Sequence, residues 1–441
     1  MYIYVYWGML ISLNDIKLTT YSNTYSTTLK FMPAVAGGMI VFSKLLADSA
    51  TVWEALRARE RRHQSRSDLV RFSSEGSPVV MWNITRACNL KCKHCYIDAT
   101  TPHPDEWKLE EGFALIDQLA EMHVPIIILT GGEPLLSPHV FEYAEHAKSR
   151  GVRMVLSTNG TLITPEVALR LKQSGIRYVG VSIDSADPKK HDAFRGVEGA
   201  FERALSGLRN ARDADIPTGL RVTLTKYNFR ELPELIELCL EEKIPRFCVY
   251  HLVPTGRGEH IAKWDLTKPQ RRWVLDVLYE RAKALKDEPI EILSTDSPMD
   301  GVYLLERLKH DDPERFEDVR RLLSAAGGCS MGVKVVNVDF LGNVSPCHFT
   351  PQIRLGNVRT TPFAELWSRH PCEDLRMLRQ KRTYLSGKCG RCEYADVCGG
   401  CRQKAYFYTN DMMGEDPTCI YDPDTKKLVP SSIDIKVEPS A

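Results

Sequence analysis

Short apolar runs alternate with amphipathic stretches from residue 79 onward. The runs are rich in Val, Ile and Leu, as buried strands are, whereas the stretches between them place apolar residues three and four apart, as helices do. The runs predict six strands, at residues 79–84, 125–130, 153–160, 178–184, 219–225 and 246–254. Because strands and helices alternate, the pattern predicts an α/β fold with a parallel sheet.

The stretches between these strands carry helix start and stop signals. Thr164 precedes Pro165, which suits a capping residue followed by the first helical position, and Gly151 suits a helix end. The predicted helices cover residues 108–123, 138–151, 164–175, 199–213 and 230–243.

The pattern changes at both ends of the chain. After about residue 326, Gly, Cys and short strands predict a small domain rich in hairpins, whereas the segment from Met39 has helical spacing. The residues before it are rich in Ser, Thr and Tyr, and they show no helical period. We expect an extension that is disordered or precedes the true start (1–38), a helical segment (39–78), a barrel (79–310), a small C-terminal domain (311–425) and a flexible tail (426–441).

Net charge and cysteine content limit the classes of partner, cofactor and compartment that the chain suits. A net charge of +1 over 441 residues gives no reason to expect nucleic acid or a membrane surface as a partner. The apolar N-terminus is too short to span a bilayer and has no basic flank. The 13 cysteines are odd in number and mostly clustered, which favours metal ligation over disulfides. Bound thiolates indicate a reducing compartment, so we expect a cytoplasmic protein.

The first cysteine group follows the first predicted strand. Cys88, Cys92 and Cys95 have the spacing C-x3-C-x2-C. Three thiolates can hold three irons of a [4Fe–4S] cubane and leave the fourth iron open to another ligand. Zinc is the rival, because His94 could complete a four-ligand site.

This triplet, with "GGEP", "STNG" and "SIDS" after the next three strands, resembles the radical S-adenosylmethionine (SAM) enzymes. The resemblance implies a partial (β/α)6 barrel of the TIM type. It also implies that the fourth iron chelates the amino and carboxylate groups of SAM, and that one electron cleaves SAM to a 5′-deoxyadenosyl radical that takes hydrogen from the substrate. An electron donor such as ferredoxin or flavodoxin is implied as a partner.

The same resemblance implies which residues lie beside SAM. The "GGEP" segment matches the part that bonds the amino group, Arg195 matches an arginine that pairs with the carboxylate, and Tyr96 matches an aromatic residue beside the adenine. "STNG" and "SIDS" match further contacts, the latter with the carboxylate or ribose. The residues are Tyr96, Gly131, Gly132, Glu133, Pro134, Ser157, Asn159, Ser182, Asp184 and Arg195.

A second group of cysteines resembles the C-terminal SPASM domain, which carries auxiliary iron–sulfur clusters. The resemblance implies one or two auxiliary [4Fe–4S] clusters. Its outer set is Cys389, Cys392, Cys398 and Cys419, and its inner set is Cys329, Cys347 and Cys401. The spacing from Cys398 to Cys401 is one residue shorter than the family's. The fourth inner ligand is therefore open: His348, Cys372 or none. A zinc ribbon is the alternative.

Two other cysteines have a simpler explanation. Cys239 and Cys248 fall within a predicted helix and a predicted strand, so we expect them to be buried packing residues.

Resemblance over residues 39–425 extends to a branch that modifies tetrapyrrole side chains in haem d1 biosynthesis and the siroheme-dependent haem pathway. It implies a small-molecule tetrapyrrole substrate. One chemistry removes acetates from didecarboxysiroheme, and the other decarboxylates the propionates of iron-coproporphyrin; the N-terminal resemblance favours the first. A carboxylate-rich disc needs cations, for which Arg257 and Lys226 are candidates. Tyr250 and His251 are the catalytic candidates, although only one of two adjacent strand residues can face the pocket.

Two other functions stay open. A SPASM-type maturase would modify a peptide, by thioether or carbon–carbon crosslinks or by sulfatase-type oxidation. The region before residue 79 is too short for the peptide-binding domain that such enzymes often carry. An iron–sulfur electron-transfer protein is of a different class, and it would need neither "GGEP" nor a six-strand barrel.

Overall fold

The computed structural model describes residues 35–36, 39–46, 77–369 and 372–431. One sheet of twelve strands runs through these residues. Its strands are β1 (Val35–Ala36), β2 (Met39–Val41), β3 (Val79–Asn83), β4 (Ile127–Thr130), β5 (Met154–Thr158), β6 (Ile176–Ser182), β7 (Thr218–Leu224), β8 (Arg246–His251), β9 (Glu291–Thr295), β10 (Val335–Val338), β11 (Asn343–Ser345) and β12 (Gly356–Asn357).

Helices follow most of the strands and cover the outer face of the sheet. They are α1 (Phe42–Leu46), α2 (Leu109–Glu121), α3 (Val140–Ser149), α4 (Pro165–Ser174), α5 (Pro188–Arg195), α6 (Ala200–Asp213), α7 (Leu232–Glu241), α8 (Lys268–Ala284), α9 (Met299–Asp311), α10 (Pro313–Ala326), α11 (Glu373–Arg379), α12 (Lys381–Tyr384), α13 (Gly387–Gly390) and α14 (Arg402–Thr409). Within the described parts of the chain, no helix has both the length and the apolar character to span a bilayer.

Strands β3 to β9 are parallel neighbours in chain order. The six predicted strands and the predicted parallel sheet are confirmed, as are helices α2, α3, α4, α6 and α7. A seventh parallel strand, β9, was not predicted, because its sequence "EILST" has one charged and two hydroxyl residues among only two large apolar ones. One edge of β9 pairs with β8, and the other edge would be exposed. Strand β2 covers that second edge by pairing with β9 in antiparallel orientation.

Alternation along each strand separates an apolar outer face from an inner face of mixed polar and apolar residues. Trp82, Val222 and Val249 belong to the main core beneath the helices. Their chain neighbours on the other face include Arg221 and Tyr250. Polar side chains at the centre of a closed core are costly, so this inner face has the character of a binding surface.

The N-terminal segment differs from its predicted form. Met39–Val41 is a strand, and only Phe42–Leu46 is helical, because the β-branched pair Ile40–Val41 completes the edge of the sheet at β9. Val35–Ala36, within the predicted extension, pairs with β2 as well. Residues 1–34 and 47–76 lie outside the described residues.

The C-terminal region extends the same sheet. Strand β10 pairs in parallel with β3, and β10, β11 and β12 form the predicted hairpins. Asn83 on β3 donates to Asn337 on β10 at 2.6 Å between nitrogen and oxygen. The predicted flexible tail begins inside a further hairpin of Tyr421–Asp422 (β13) and Lys427–Leu428 (β14); residues 432–441 lie outside the described residues.

Candidate active site

The three cysteines of the first group come together on the loop after β3. Cys88, Cys92 and Cys95 are free thiols that pack around one small buried cluster. Backbone N–H groups donate to two of them: Leu90 to Cys88 at 3.4 Å and Ala99 to Cys95 at 3.3 Å between nitrogen and sulfur. Donors aimed at sulfur stabilise a cluster-bound thiolate. These residues fit a cubane held by three cysteines.

Burial makes Cys88 and Cys92 unfavourable as free thiolates, because it raises the pKa of both thiols. It raises the pKa of the Cys88 thiol to about 12, and repulsion from Cys92 and Cys95 adds to the effect. A bound cation or cluster would reverse this preference, because it deprotonates its thiol ligands. Across the described residues, no three His, Cys, Asp or Glu side chains are grouped closely enough to hold a single metal ion.

Arg257 holds the cysteine loop in place. Its Nε donates to the carbonyl of Cys92 at 3.0 Å, and its Nη1 donates to the carbonyl of Ala99 at 2.8 Å and to Asp98 at 2.7 Å. Lys226 donates to the carbonyl of Lys263 at 2.7 Å and is exposed. Both cations thus donate to backbone carbonyls; that they line the substrate pocket stays a prediction.

The "GGEP" segment after β4 lies directly against the cysteine loop. Gly132 N donates to Thr85 O at 2.8 Å, and Glu133 N donates to Ala87 O at 2.7 Å. A Cβ added to Gly132 would lie 2.1 Å from Ala87 O, so only glycine allows this approach. Gly131 has φ +138°, which also favours glycine. The glycines thus bring backbone to the cysteine loop; their contact with the SAM amino group stays a prediction.

Glu133 joins this segment to the "STNG" turn. Its buried carboxylate accepts from Thr158 Oγ1 at 2.7 Å, Asn159 N at 2.8 Å and Leu135 N at 3.1 Å. Burial raises the pKa of Glu133 to about 7 despite these hydrogen bonds. Pro134 follows and opens a short 3-10 turn, Pro134–Leu136. Glu133 therefore fixes the spacing of two loops that the sequence associated with SAM.

The turns after β5 and β6 bring their polar side chains to the same edge. Asn159 donates to Asn89 of the cysteine loop at 2.9 Å, and Ser157 accepts from Arg221 Nη1 at 2.5 Å on the inner face of the sheet. Ser182 lies opposite Arg221 in the β6–β7 ladder. The predicted residues of both turns are thus near the triplet or on the inner face.

Arg195 connects "SIDS" to the cysteines. Its Nη2 lies 2.7 Å from Asp184 Oδ2, and its Nη1 donates to the Cys92 sulfur at 3.5 Å. Its Nε is buried and has no hydrogen-bond partner among the described residues. Asp184 also accepts from Thr223 N at 2.9 Å. Arg195 therefore has an internal partner and one further donor left for a ligand such as a carboxylate.

His94 was missed as a site residue. Its ring stacks on Phe194, with centroids 4.8 Å apart, and its Nδ1 is buried without a partner in the described chain. Burial lowers the pKa of His94 to about 4, so the ring is neutral at pH 7. Its place inside the cysteine motif was the available signal, although that motif suggested His94 only as a possible zinc ligand.

Tyr96 enters the barrel interior. Its hydroxyl donates to Asn83 Oδ1 at 2.6 Å, and its ring meets His348 and Phe349 edge-on, with centroids 5.3 and 5.9 Å away. Tyr96 therefore links the cysteine loop to the C-terminal region; its predicted contact with adenine stays a prediction.

The outer set of C-terminal cysteines also converges. The thiols of Cys389, Cys392, Cys398 and Cys419 interact with one another electrostatically. Backbone N–H groups of Tyr394, Gly400 and Asp416 donate to three of the sulfurs at 3.2–3.4 Å. Four mutually close thiols with N–H donors fit a second cubane.

The inner set converges separately. Cys329, Cys347 and Cys401 interact electrostatically in a buried setting. Cys372 is exposed at the start of α11, which does not suit a ligand of a buried cluster. His348 Nδ1 lies 3.8 Å from the Cys347 sulfur. Of the proposed fourth ligands, His348 is the one that the structure brings near.

The two catalytic candidates, Tyr250 and His251, point to opposite faces of strand β8. Tyr250 faces inward, where Arg221 is the charged side chain with the largest effect on it. His251 faces outward and is completely buried: its Nε2 lies 2.9 Å from Asp300 Oδ2, and Arg271 Nη1 lies 2.7 Å from its Nδ1. Both ring nitrogens are therefore engaged away from the inner face, which counts against His251 as a catalytic residue; its catalytic role stays a prediction.

Comparison with known proteins agrees with this arrangement. The family model described as "Radical SAM superfamily" matches residues 82–239, and the "Iron-sulfur cluster-binding domain" (SPASM) model matches residues 329–393. The Fe-coproporphyrin III synthase of Methanosarcina barkeri is 40% identical over 86% of this chain and 97% of its own. An AdoMet-dependent heme synthase of Nitratidesulfovibrio vulgaris is 37% identical over 80% and 95%.

Among solved structures, SuiB of Streptococcus suis bound to S-adenosylmethionine matches with a TM-score of 0.63, at 19% identity, over 83% of this chain and 82% of its own. This likeness supports the partial barrel. The cofactors are accordingly [4Fe–4S] clusters and SAM. The chain belongs to the radical SAM superfamily, among the members that carry a C-terminal SPASM iron–sulfur cluster-binding domain.

Proposed function

We propose that this radical SAM enzyme modifies an iron tetrapyrrole in haem biosynthesis, and that it removes acetate groups from didecarboxysiroheme. The observation that supports this proposal most strongly is the 40% sequence identity to the Fe-coproporphyrin III synthase, over 97% of that protein's chain. Loss of acetates from didecarboxysiroheme yields an iron coproporphyrin, the product in that relative's name. The heme synthase is also similar, at 37% identity over 95% of its chain, which supports the tetrapyrrole class more strongly than the choice of reaction.

When bound, the reduced triplet cluster and SAM would supply a 5′-deoxyadenosyl radical that abstracts hydrogen. Cys88, Cys92 and Cys95 would hold the cluster, and Arg195 would offer its free Nε to the SAM carboxylate while Asp184 fixes its orientation. Neutral His94 offers a flat ring and an unpartnered nitrogen beside the same loop.

The inner face of the sheet suits an acidic, flat substrate. Arg221 and Arg246 lie over the ring of Tyr178, 5.8 and 5.0 Å from its centroid, and Arg246 is neutralised by Glu291 at 2.5 Å. Arg221 has a hydroxyl partner, Ser157, rather than a carboxylate. It therefore brings a positive charge to the barrel interior that a substrate carboxylate can use.

The electron path and the setting complete the proposal. We infer an external donor such as ferredoxin or flavodoxin, because reductive SAM cleavage needs one electron. Clusters bound by the auxiliary cysteine sets are candidate electron donors or acceptors for the substrate. All 13 cysteines are unpaired, which suits the reducing cytoplasm.

The test is a comparison of substrates under anaerobic conditions. Reconstituted protein, SAM and a strong reductant are mixed with didecarboxysiroheme, iron-coproporphyrin III or a candidate precursor peptide, and products are read by mass spectrometry. We expect stepwise loss of two acetate groups from didecarboxysiroheme and no change in the others. A change only in iron-coproporphyrin would replace the deacetylase assignment with a decarboxylase one.

Two further results would contradict the tetrapyrrole proposal itself. A modified peptide with unchanged tetrapyrroles would make the protein a maturase, and failure to cleave SAM at full iron content would favour an electron carrier. Cys92→Ser should abolish SAM cleavage. Cys372→Ser is the matched control, because this cysteine is exposed and lies outside the three groups.

A further inference from the structure

Lys404, on helix α14, has a buried ammonium group with no partner. The residue is fully buried, and its Nζ makes no hydrogen bond within the described residues. An isolated buried charge is strongly unfavourable. An unsatisfied ammonium in this position therefore points to a ligand that satisfies it.

Asp296, just after β9, is a second unsatisfied group nearby. Its Oδ2 is buried without a hydrogen bond in the described chain, and its Oδ1 receives only a long contact of 3.4 Å from Thr295. Lys404 is the charged side chain with the largest effect on Asp296. Among the described residues, however, no ion pair within 4.0 Å joins the two, so neither group satisfies the other.

The backbone and the protonation of Asp296 are also unusual. Its φ is +65°, in the left-handed region that residues other than glycine seldom adopt and that clusters at functional sites. Burial raises its pKa to about 7. A carboxyl group that retains its proton near neutral pH can donate a hydrogen bond.

The two groups lie between the inner face of β8 and the inner cysteine set. Asp296 interacts with Tyr250 and Cys248 on the inner face of β8, and with Cys347 of the inner set. Helix α14 is held against the loop after β8, where Tyr408 donates to Asp265 at 3.4 Å. A substrate on the inner face could therefore reach both groups.

We propose that Lys404 and Asp296 bind one carboxyl group of the substrate between them. Lys404 donates to one carboxylate oxygen and the protonated carboxyl of Asp296 donates to the other, so both unsatisfied groups gain partners. This rests on the proposed function, since it gives the acidic tetrapyrrole a fixed attachment point. The rival role for Lys404 is to offset the charge of thiolates in the inner set.

The test measures binding rather than turnover. Didecarboxysiroheme is titrated anaerobically into reconstituted enzyme, and the dissociation constant is read from its visible absorption. Lys404→Met should weaken binding by about 10- to 100-fold, as expected for the loss of a hydrogen bond to a charged group. Lys334→Met is the matched control: it also removes a part-buried ammonium, but one that donates to Ala326 O at 2.6 Å on the far side of β10.

Asp296 supplies an independent variant pair. Asp296→Asn should keep binding within about 3-fold, because the amide still donates, whereas Asp296→Ala should weaken it about 10-fold. If Asn weakens binding as much as Ala, Asp296 acts as an anionic partner of Lys404 and the proposal is wrong. Methyl esters of the substrate's carboxyl groups should make the Lys404→Met effect disappear.

Iron content separates the proposal from its rival. Weaker binding by Lys404→Met at full iron content supports the carboxyl site. Loss of auxiliary iron, or an unchanged dissociation constant, overturns it. If the wild-type enzyme binds no iron tetrapyrrole, both the proposed function and this carboxyl site are wrong. If the wild type binds the tetrapyrrole and Lys404→Met binds it equally well, only the carboxyl site is wrong.

Discussion

At the scale of single residues, Arg195 combines contacts of different kinds in the candidate active site. It pairs with Asp184, donates to the Cys92 sulfur and keeps Nε for a ligand. Although burial alone would lower its pKa, Asp184 and Cys92 raise it overall, so the guanidinium stays charged. A planar fork can serve three directions at once, which an ammonium cannot.

Arg195→Lys should therefore weaken SAM binding by about 10-fold, because the lysine can keep the Asp184 pair but not the further donor. Equilibrium dialysis of the reconstituted protein with labelled SAM measures this. Arg203→Lys is the control, since Arg203 is exposed and, within the described residues, bonds only the carbonyl of Glu198. Equal SAM affinity in the two variants would contradict the role of Arg195.

Gly132→Ala should destabilise the protein by at least about 2 kcal/mol, because the new methyl group would overlap the Ala87 carbonyl at 2.1 Å. Gly151→Ala is the matched control: its φ is +72°, but nothing lies within 4 Å of an added Cβ, so it bears only the backbone cost of about 1 kcal/mol. Apparent thermal midpoints under anaerobic conditions measure the difference. A larger loss at Gly151 would be inconsistent with the steric argument.

His191 predicts a pH effect on stability. Burial lowers its pKa to about 4, with Arg195 and His94 adding to this and Asp184 and Asp192 opposing it. The unfolded side chain binds a proton below about pH 6.5 and the folded one does not, so stability falls as pH falls from 6.5 towards 4. At pH 5 this group costs about 2 kcal/mol.

His191→Asn removes that term. The variant should lose about 2 kcal/mol less stability than wild type between pH 7 and pH 5, measured from anaerobic unfolding at each pH. Parallel losses in the two proteins would show that His191 is protonated in the folded state or that other groups dominate.

The sequence could predict residues whose partners lie nearby in the chain. The cysteine sets follow short motifs, and the polar turns follow strands that a parallel sheet brings to one edge. It could not predict that Arg257 donates hydrogen bonds to the carbonyls of Cys92 and Ala99, or that Lys404 lies near Asp296. Those pairs are more than 100 residues apart, and nothing local in the sequence distinguishes a free cation from an engaged one.

At the scale of elements, the apolar pattern of the sequence identifies some strands and misses others. Strands β3 to β8 are apolar enough to be recognised alone. Strands β2 and β9 depend on each other: β2 has only three residues, and β9 has a charged residue and two hydroxyls. Their strand conformation comes from pairing at the sheet edge, which local pattern does not encode.

His251 acts between elements. It joins β8 to Arg271 on α8 and to Asp300 on α9, and Ser294 on β9 donates to the same aspartate at 2.6 Å. Breaking such a buried network leaves uncompensated charges.

His251→Leu should lower stability by about 3 kcal/mol, because Arg271 and Asp300 lose their shared partner. The rate of SAM cleavage per folded, iron-loaded molecule should stay near that of wild type. Tyr250→Phe is the control on the neighbouring position; it should leave the thermal midpoint unchanged, since its hydroxyl faces the inner side. A stable His251→Leu protein with abolished SAM cleavage would support the catalytic interpretation.

At the scale of the whole molecule, a single sheet carries both the SAM-binding barrel and the C-terminal cysteine region. The register of β10 against β3 fixes the inner cysteine set relative to the barrel interior, and Tyr96 bridges the two through His348 and Phe349. The cysteine triplet and the inner cysteine set are therefore connected through the same sheet and through Tyr96. Such a connection suits electron transfer between clusters and a substrate held among them.

This arrangement predicts that iron is lost from the cysteine sets independently. Fully reconstituted protein should hold about twelve irons if all three sets form cubanes. Replacing Cys88, Cys92 and Cys95 by Ala should remove about four irons and all SAM cleavage, while the rest of the iron stays, because the outer and inner sets have their own backbone donors. Replacing Cys389 and Cys392 should also remove about four irons but leave SAM cleavage in the absence of substrate. Iron and sulfide assays with anaerobic chromatography of the cleavage products measure both. If removal of the outer set also emptied the triplet, the sets would be coupled through folding, and the independent-site interpretation would fail.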